Sequence, residues 1–134
     1  MDPRPSVVGL TLCDRIIVDQ LTGQPSLIGI FTDLRADGFP SPPTRFSAYA
    51  VLTGGVGGGI IELRAVHLAS GDQVYARRGW IQFPDRTDIV SVLLRTESIV
   101  FPSPGFYLFQ LVVDGEVIEG AQRRIQLHRK RGEP

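Results

Sequence analysis

The stretch GFYLFQLVVDGEVIEGAQRRIQLH, residues 105–128, decides the fold class. In its first half, Tyr107, Phe109 and the odd-numbered residues after them lie on one face with a period of two, which is the period of a β-strand. Asp114-Gly115 then forms a two-residue hairpin signal, and the alternation resumes after it. The segment therefore predicts two antiparallel strands joined by a tight turn.

The same pattern recurs along the rest of the chain. No window repeats apolar residues at helical spacing with a polar opposite face. Runs of β-branched and aromatic residues are instead separated by Gly, Pro, Asp and Ser. Further hairpin turns are predicted at ASGDQ and LTGQP, and proline-rich connections at GFPSPPTRF and FPSPGF. We predict strands at residues 6–13, 15–20, 26–34, 45–53, 59–69, 73–83, 88–96, 105–114 and 117–128.

Many short strands with turns at this spacing predict an all-β fold, specifically an antiparallel immunoglobulin-like β-sandwich of about 7–9 strands. A chain of 134 residues fits a single domain. We place that domain at residues 1–128 and a basic C-terminal tail at residues 129–134. The two proline-rich segments are then expected to cross between the sheets.

Composition narrows the class of protein. Hydrophobic residues make up 43% of the chain, charged residues 21%, and the net charge is zero, so a soluble globular protein is expected. One cysteine excludes an intrachain disulfide, and only two histidines leave little for a zinc site. No apolar run approaches the roughly 18 residues of a membrane helix, and the N-terminus makes a poor signal peptide. We expect a cytoplasmic protein with no cofactor and no membrane contact.

Glycine occupies five of the six positions 54–59 in TGGVGGGIIELRAVHL, which suggests a phosphate-binding loop. A P-loop would need a Lys and a Ser or Thr after the last glycine, and neither follows here. The dinucleotide pattern also fails, because Ile60 stands where its last glycine belongs. A strand pattern follows instead of a helix, so we interpret the cluster as a turn or bulge.

Carboxylates near strand ends are candidate metal or acid/base groups. Asp14, Asp19 and Asp33 would need to meet in space to bind calcium or share a proton, and no calcium-loop spacing supports this. Aspartates beside turns usually accept local backbone N–H groups, which is the interpretation we favour. Asp85 and Asp88 are interpreted as parts of a polar loop.

Cys13 would be a nucleophile only if His67 or His128 lay beside it as a base. Because free cysteine is among the most buried residue types, we expect an inert, buried thiol. No G-x-S-x-G motif occurs either. We therefore predict no catalytic residue, no metal ligand and no enzyme activity.

An aromatic and basic cluster is the candidate ligand site. It consists of Tyr75, Arg77, Arg78 and Trp80, and aromatic faces beside arginines can hold a sugar or a base. Strand alternation places Trp80 on the face opposite to Tyr75, so one of the two is expected in the core.

Five basic residues near the C-terminus are a candidate nucleic-acid site: Arg123, Arg124, Arg129, Lys130 and Arg131. They lack interleaved aromatic residues, and outward charges also protect an edge strand from aggregation. We interpret them as a solvated edge and tail, so nucleic-acid binding is not expected.

The opening CDRIIVDQLTGQPSLIGIF, residues 13–31, resembles a family of small bacterial proteins known only as a domain of unknown function, which share a CDxIIVDxxTGxxSLIGIF-like opening. The proline-containing segment FPSPPTRFSAYAVLTG, the ELR strand and the ending at Pro104–Glu116 are similar as well. The resemblance implies a compact, β-rich single domain. It implies no catalytic residues that can be transferred to this chain.

Two functions of different classes follow. The first is a non-catalytic module that binds either a protein partner or a second copy of itself through a sheet edge or face. Binding to a second copy would make the protein a homo-oligomer. The alternative is a β-sandwich that binds carbohydrate or another small ligand through Tyr75, Arg77, Arg78 and Trp80. A hydrolase using Asp14, Asp19 or His67 is a weaker third hypothesis.

Overall fold

A computed structural model describes residues 5–83 and 89–130, and these residues form nine β-strands and no helix. The all-β prediction is therefore confirmed for this part of the chain. The strands are β1 (Ser6–Val18), β2 (Pro25–Ile30), β3 (Asp33–Ala36), β4 (Thr44–Thr53), β5 (Gly57–His67), β6 (Gln73–Phe83), β7 (Ile89–Ile99), β8 (Gly105–Val113) and β9 (Glu116–Arg129).

The strands form two sheets. The four-stranded sheet has the order β2-β1-β4-β7, and the five-stranded sheet has the order β3-β9-β8-β5-β6. All pairs are antiparallel except β3 with β9, which run parallel. The prediction of a wholly antiparallel fold is wrong for this pair, because β3 reaches the edge of its sheet directly from the other sheet and not through a hairpin.

The core lies between the inner faces of the two sheets. On β5, Ile61, Leu63 and Ala65 are buried, whereas the alternate positions face outward. Phe46 of β4 packs edge-on against Phe109 of β8, with ring centroids 5.6 Å apart. The period-two pattern in the sequence thus divides core from surface, as expected for sheets with one buried face.

The β8–β9 hairpin confirms the turn signal that opened the sequence analysis. Val113 pairs with Glu116, which leaves Asp114 and Gly115 as a two-residue loop. Both loop residues have positive φ, 49° and 83°. This is the signature of a type I′ turn, whose twist matches that of the flanking strands.

Two predicted strand boundaries differ from the structure. Residues 6–13 and 15–20 were expected to be separate strands, but β1 runs without a break through Asp14. Residues 26–34 were expected to be one strand, but the chain leaves β2 after Ile30 and enters β3 at Asp33 in the other sheet. Both differences have one cause: partner strands change along these segments, and alternation does not record which strand is the partner.

The two proline-rich connections contact each other. The backbone N–H of Ser41 donates to the carbonyl oxygen of Phe101 at 2.8 Å, and the N–H of Phe101 donates to Ser41 Oγ at 2.9 Å. Nearby, the Tyr107 hydroxyl donates to the carbonyl oxygen of Ser103 at 2.6 Å. These bonds satisfy polar groups that Pro-containing segments cannot place in a ladder.

The predicted tail begins where β9 ends. Arg129 is the last residue of β9, and the Lys130 N–H donates to the carbonyl oxygen of Ala36 at 2.7 Å. Residues 131–134, with Arg131, lie outside the described residues, as do Asp85 and Asp88 of the predicted polar loop. Among the described residues there is no helix with the length and hydrophobicity that a membrane crossing needs.

Candidate functional site

The β1–β2 hairpin extends beyond the sheet that carries it. Pairing of β1 with β4 ends at Cys13–Ser47, whereas pairing of β1 with β2 continues to Val18–Pro25. We call residues 14–30 the hairpin arm: the second half of β1, the turn at 19–24 and β2. Within the described residues, residues 15–18 and 25–28 of the arm pair only with each other, and Ile30 lies opposite Cys13 at the base of the arm.

The arm is apolar and exposed. Leu21 at its turn has 97% of its surface exposed, and Ile30 of β2 has 62%. Further large aliphatic side chains exposed on the arm are Ile17, Val18 and Ile28. A cluster of this kind on a surface marks a site of contact with a partner more often than isolated apolar residues do.

A groove lies where the arm separates from β4. One cleft of about 590 Å³ is lined by residues of the arm, β4 and β7, among them Arg15, Arg45 and Arg95. An adjoining cleft of about 430 Å³ shares Ser47 and Arg95 with the first and adds Arg77 of β6. We call the two clefts together the arginine groove.

The arginine groove carries uncompensated positive charge. Its lining has four arginines against two carboxylates, Asp14 and Glu97. Within residues 5–83 and 89–130, none of the four guanidinium groups makes a hydrogen bond or an ion pair with another residue. Elsewhere, Arg64 and Arg78 both bind Glu62, and Arg123 Nε donates to the carbonyl oxygen of Leu10 at 2.7 Å.

The four predicted ligand-site residues divide between two faces of β6. Trp80 pairs with Ile60 and Arg78 with Glu62 on the outer face, where Trp80 is 67% exposed. Tyr75 lies opposite the buried Ala65 and packs against the core.

Arg77 lies opposite the buried Leu63 and lines the arginine groove. The outer face of β6 therefore retains one exposed aromatic ring and one arginine, and that arginine is ion-paired with Glu62 at 2.8 Å.

The glycine cluster makes room for side chains of neighbouring strands. A Cβ at Gly58 would collide with the Trp80 ring, and a Cβ at Gly59 would come 2.7 Å from the Asp114 carboxylate. Asp114 Oδ1 accepts the N–H of Ile60 at 2.9 Å, and this bond lowers the pKa of Asp114. The cluster begins a strand, as the sequence analysis expected, and Gly57 supplies the positive φ of 79°.

Cys13 and the two histidines occupy separate environments. Cys13 is fully buried, and its thiol donates to the carbonyl oxygen of Arg15 at 3.5 Å. Burial, followed by the Asp14 charge, raises the pKa of this thiol, which disfavours the reactive thiolate.

His67 stacks on Tyr107 and its ring nitrogens contact Ser70 and Ser103 at 3.2 and 3.3 Å. His128 lies 3.5 Å from Asp33 across the β3–β9 pair. Both histidines thus have contacts that hold parts of the fold.

The three aspartates of the metal hypothesis have different surroundings. Asp19 accepts the N–H groups of Leu21 and Thr22 at 2.8 and 3.0 Å, and these bonds lower its pKa. Asp33 faces His128, and Asp14 lines the groove. Among the described residues, no group of three or more His, Cys, Asp or Glu lies close enough together to hold a metal ion.

The described part of the C-terminal basic cluster is distributed along β9. Arg124 lies over the Phe106 ring at 4.2 Å, and Arg123 bridges to β1 through the Leu10 carbonyl. These contacts use two of the charges within the fold itself.

Arg15, Arg45 and Arg95 are not recognisable as a cluster in the sequence. The three lie far apart in the chain, and only the strand order β1-β4-β7 brings them together. One local signal was present: Arg15 interrupts the apolar run of β1 at the point where the strand leaves β4.

The architecture thus defines a two-sheet β domain with a projecting hairpin and a basic groove beside it. The chain belongs to the family of unknown function DUF6941, whose model matches residues 9–126. No curated protein matches the sequence. Among solved structures, the alkylpurine DNA glycosylase AlkC of Pseudomonas fluorescens, bound to DNA with an abasic site analog, is similar with a TM-score of 0.41 and 9% identity. That match covers 89% of this chain and 30% of the AlkC chain.

Proposed function

We propose that the protein is a non-catalytic interaction module that binds a protein partner, or a second copy of itself, through the hairpin arm. The observation that carries this proposal is the pairing of the arm. In the described structure the arm pairs with no strand outside the β1–β2 hairpin, yet its side chains include Ile17, Leu21 and Ile30 on the surface.

Physical reasoning supports a covered arm. An isolated two-stranded hairpin is at best marginally stable in water, and packing against another surface stabilises it. Exposed aliphatic side chains gain roughly 25 cal/mol for each Å² of apolar area removed from water. A partner that covers Leu21 and Ile30 would therefore both stabilise the arm and gain binding energy.

The experiment is affinity purification of the tagged protein from its native host with nuclease treatment, combined with light scattering of the purified chain over a range of concentrations. The test variant is Leu21→Ser/Ile30→Ser. The control variant is Ile89→Ser, which removes an equally exposed aliphatic side chain from the far end of the four-stranded sheet.

We expect a stoichiometric partner, or a concentration-dependent dimer, with the wild-type chain and Ile89→Ser but not with the double variant. A monodisperse monomer that recovers no partner would contradict the proposal. Equal behaviour of the two variants would contradict the role of the arm.

We further propose an immunoglobulin-like connectivity. It is supported by the chain order in which β4 and β7 lie in one sheet while β5, β8 and β9 lie side by side in the other. The Tyr107 hydroxyl bond to the carbonyl oxygen of Ser103 also resembles the tyrosine corner of such folds. A cytoplasmic setting in a bacterium is supported by the single cysteine and by the resemblance of the opening motif.

A second candidate function is ligand binding on the outer face of β6. Trp80 is exposed beside Ile60, and the Glu62–Arg78 ion pair lies next to it. Such a surface fits a sugar ring, which stacks on aromatic faces and bonds to charged groups. Trp80 is the sole tryptophan, so a glycan screen by intrinsic fluorescence tests this directly, and an unchanged emission across the screen would contradict it.

A further inference from the structure

The ladder between β1 and β4 stops although both strands continue. Its register pairs Cys13 with Ser47, Leu12 with Ala48 and Thr11 with Tyr49. Continued by two residues in each direction, the same register would place Arg15 opposite Arg45. β1 reaches Val18 and β4 begins at Thr44, so both arginines lie within strands. At these positions β1 and β4 no longer pair with each other.

The sequence explains this separation. Like charges directly opposite each other destabilise an antiparallel pair. The next position in the register would place Ile17 opposite Pro43, and proline has no N–H to donate to a ladder. Arg15, Arg45 and Pro43 therefore disfavour continuation of the ladder between β1 and β4.

The backbone of β1 faces the interruption with hydrogen-bonding groups. The N–H of Asp19 donates to the carbonyl oxygen of Gln24 in the β1–β2 register, so towards the turn the odd-numbered residues of β1 direct these groups towards β2. Ile16 and Val18 therefore direct theirs towards the vacated side.

The backbone of β4 faces the same gap. Thr96 Oγ1 accepts the N–H of Phe46 and donates to its carbonyl oxygen. The backbone N–H and C=O groups of the even-numbered residues of β4 therefore point towards β7. The N–H and C=O of Arg45 therefore point across the gap towards β1. Two strand edges thus border one cleft.

Three arginines lie on one face at this gap. Cys13, Ser47 and Arg95 form one row across β1, β4 and β7. Arg15 and Arg45 follow that row by two residues and so share its face. All three arginines line the first cleft, and their guanidinium groups have no partner among the described residues.

We propose that the arginine groove binds an extended acidic segment of a protein partner by strand addition to β1. The segment pairs its backbone with Ile16 and Val18 and places alternate carboxylates on Arg15, Arg45 and Arg95. Strand addition supplies main-chain hydrogen bonds, and side chains on alternate positions supply specificity. This inference rests on the proposed function and names the chemistry of the partner.

The composition of the groove favours a peptide over a free anion. An inorganic anion would use the guanidinium groups but not the unpaired backbone of β1. It would also make no use of Ile16, Val18 and Leu93, which line the adjoining cleft. An acidic segment with aliphatic residues between its carboxylates uses all three kinds of group.

The test is fluorescence anisotropy with a labelled, end-blocked seven-residue peptide in which Glu alternates with Val. Two control peptides replace Glu by Lys or carry N-methyl groups on alternate backbone nitrogens. The protein variant is Arg45→Gln/Arg95→Gln. Its matched control is Arg35→Gln, an exposed arginine on β3 in the other sheet.

We expect saturable binding of the acidic peptide that weakens about tenfold or more in Arg45→Gln/Arg95→Gln, because hydrogen bonds to charged groups are lost. Arg35→Gln should bind as the wild-type chain does. Both control peptides should fail to bind, and the acidic peptide should shift the NMR signals of the Ile16 and Val18 amides.

Several results would overturn the inference. Equal binding of the N-methylated peptide, or full competition by inorganic phosphate, would reduce the groove to an anion site. Equal binding of the Lys peptide, or no saturable binding, would remove it altogether. The Leu21→Ser/Ile30→Ser variant separates the two proposals, since it should lose the partner while still binding the acidic peptide.

Discussion

Glu62 is a buried carboxylate on the outer face of the five-stranded sheet. Its two oxygens accept bonds from Arg64 at 2.9 Å and Arg78 at 2.8 Å. The Arg78 bond, followed by Arg64, lowers the pKa of Glu62 despite its burial. This triad is a local structural unit, because removing the carboxylate leaves two guanidinium groups side by side.

We expect Glu62→Gln to lower the free energy of unfolding at pH 7 by about 1–3 kcal/mol, as measured by urea denaturation. Because the folded pKa lies below the unfolded value of about 4.3, the carboxylate stabilises the fold fully above that value. That contribution is lost as pH falls through the folded pKa.

The difference between wild type and Glu62→Gln should therefore narrow when the pH is lowered from 7 to below the unfolded value of about 4.3. Glu97→Gln, at an exposed position in the groove, is the control and should change stability little. A gap between wild type and Glu62→Gln that is the same at both pH values would contradict the ion-pair explanation.

Gly57 and Gly58 are adjacent glycines that the structure needs for different reasons. Gly58→Ala should displace the Trp80 ring and shift the emission of this sole tryptophan. Gly57→Ala has open space around the new methyl group but a φ of 79°, so it should cost about 1 kcal/mol in backbone strain without an emission shift. Matching emission spectra for the two variants would contradict the steric role of Gly58.

At the scale of elements, the interrupted β1–β4 ladder makes a prediction for hydrogen exchange. The amides of Ile16 and Arg45 should exchange faster than those of Thr11 and Tyr49, which pair with each other in the ladder. Arg45→Glu replaces the like-charge pair by an attractive one. It should slow exchange at Ile16 and stabilise the fold by about 0.5–1 kcal/mol.

Arg45→Gln serves as the intermediate control, since it removes the repulsion without adding an attraction. Unchanged exchange at Ile16 in both variants would mean that charge does not keep the two strands apart.

Elements joined by local turns were predictable from the sequence, whereas their partners across the fold were not. The β8–β9 hairpin was expected at 105–114 and 117–128 and occurs at Gly105–Val113 and Glu116–Arg129. Asp-Gly determines that pairing locally. In contrast, β1 changes its partner strand at Asp14, and the segment at 26–34 changes its partner at Phe31–Thr32. No residue near these positions indicates which distant strand becomes the partner.

The same distinction applies to the candidate site. Alternation placed Trp80 and Tyr75 on opposite faces correctly, because both lie on one strand. The arginine groove required the order β1-β4-β7, which depends on contacts between residues far apart in the chain. Periodicity carries no information about such contacts.

At the scale of the whole molecule, hydrogen bonds join the two sheets on the side where β1 lies beside β9. On this side the chain crosses between them at Phe31–Thr32, where the Phe31 N–H donates to Leu12 and the Thr32 carbonyl oxygen accepts from Gln126. Arg123 adds a bond from β9 to the carbonyl oxygen of Leu10. This side is thus held by hydrogen bonds as well as by apolar packing.

We expect Arg123→Met to lower the free energy of unfolding by about 1–2 kcal/mol, because it leaves the Leu10 carbonyl without its charged donor. Arg124→Met is the matched control on the same strand, where only an exposed contact with Phe106 is lost, and should cost about 0.5 kcal/mol. Urea denaturation of both variants provides the measurement. Equal losses would contradict a bridging role for Arg123.

The position of β9 between β3 and β8 has a consequence for biosynthesis. β3 emerges from the ribosome early, but its strand partner is the last strand of the described chain, after β4 to β8. Chains are made from the N-terminus, and non-local pairing is slow. The nascent polypeptide must therefore carry β3 without its strand partner throughout most of translation. Because β3 has four residues, it offers few unpaired backbone groups to a neighbouring chain.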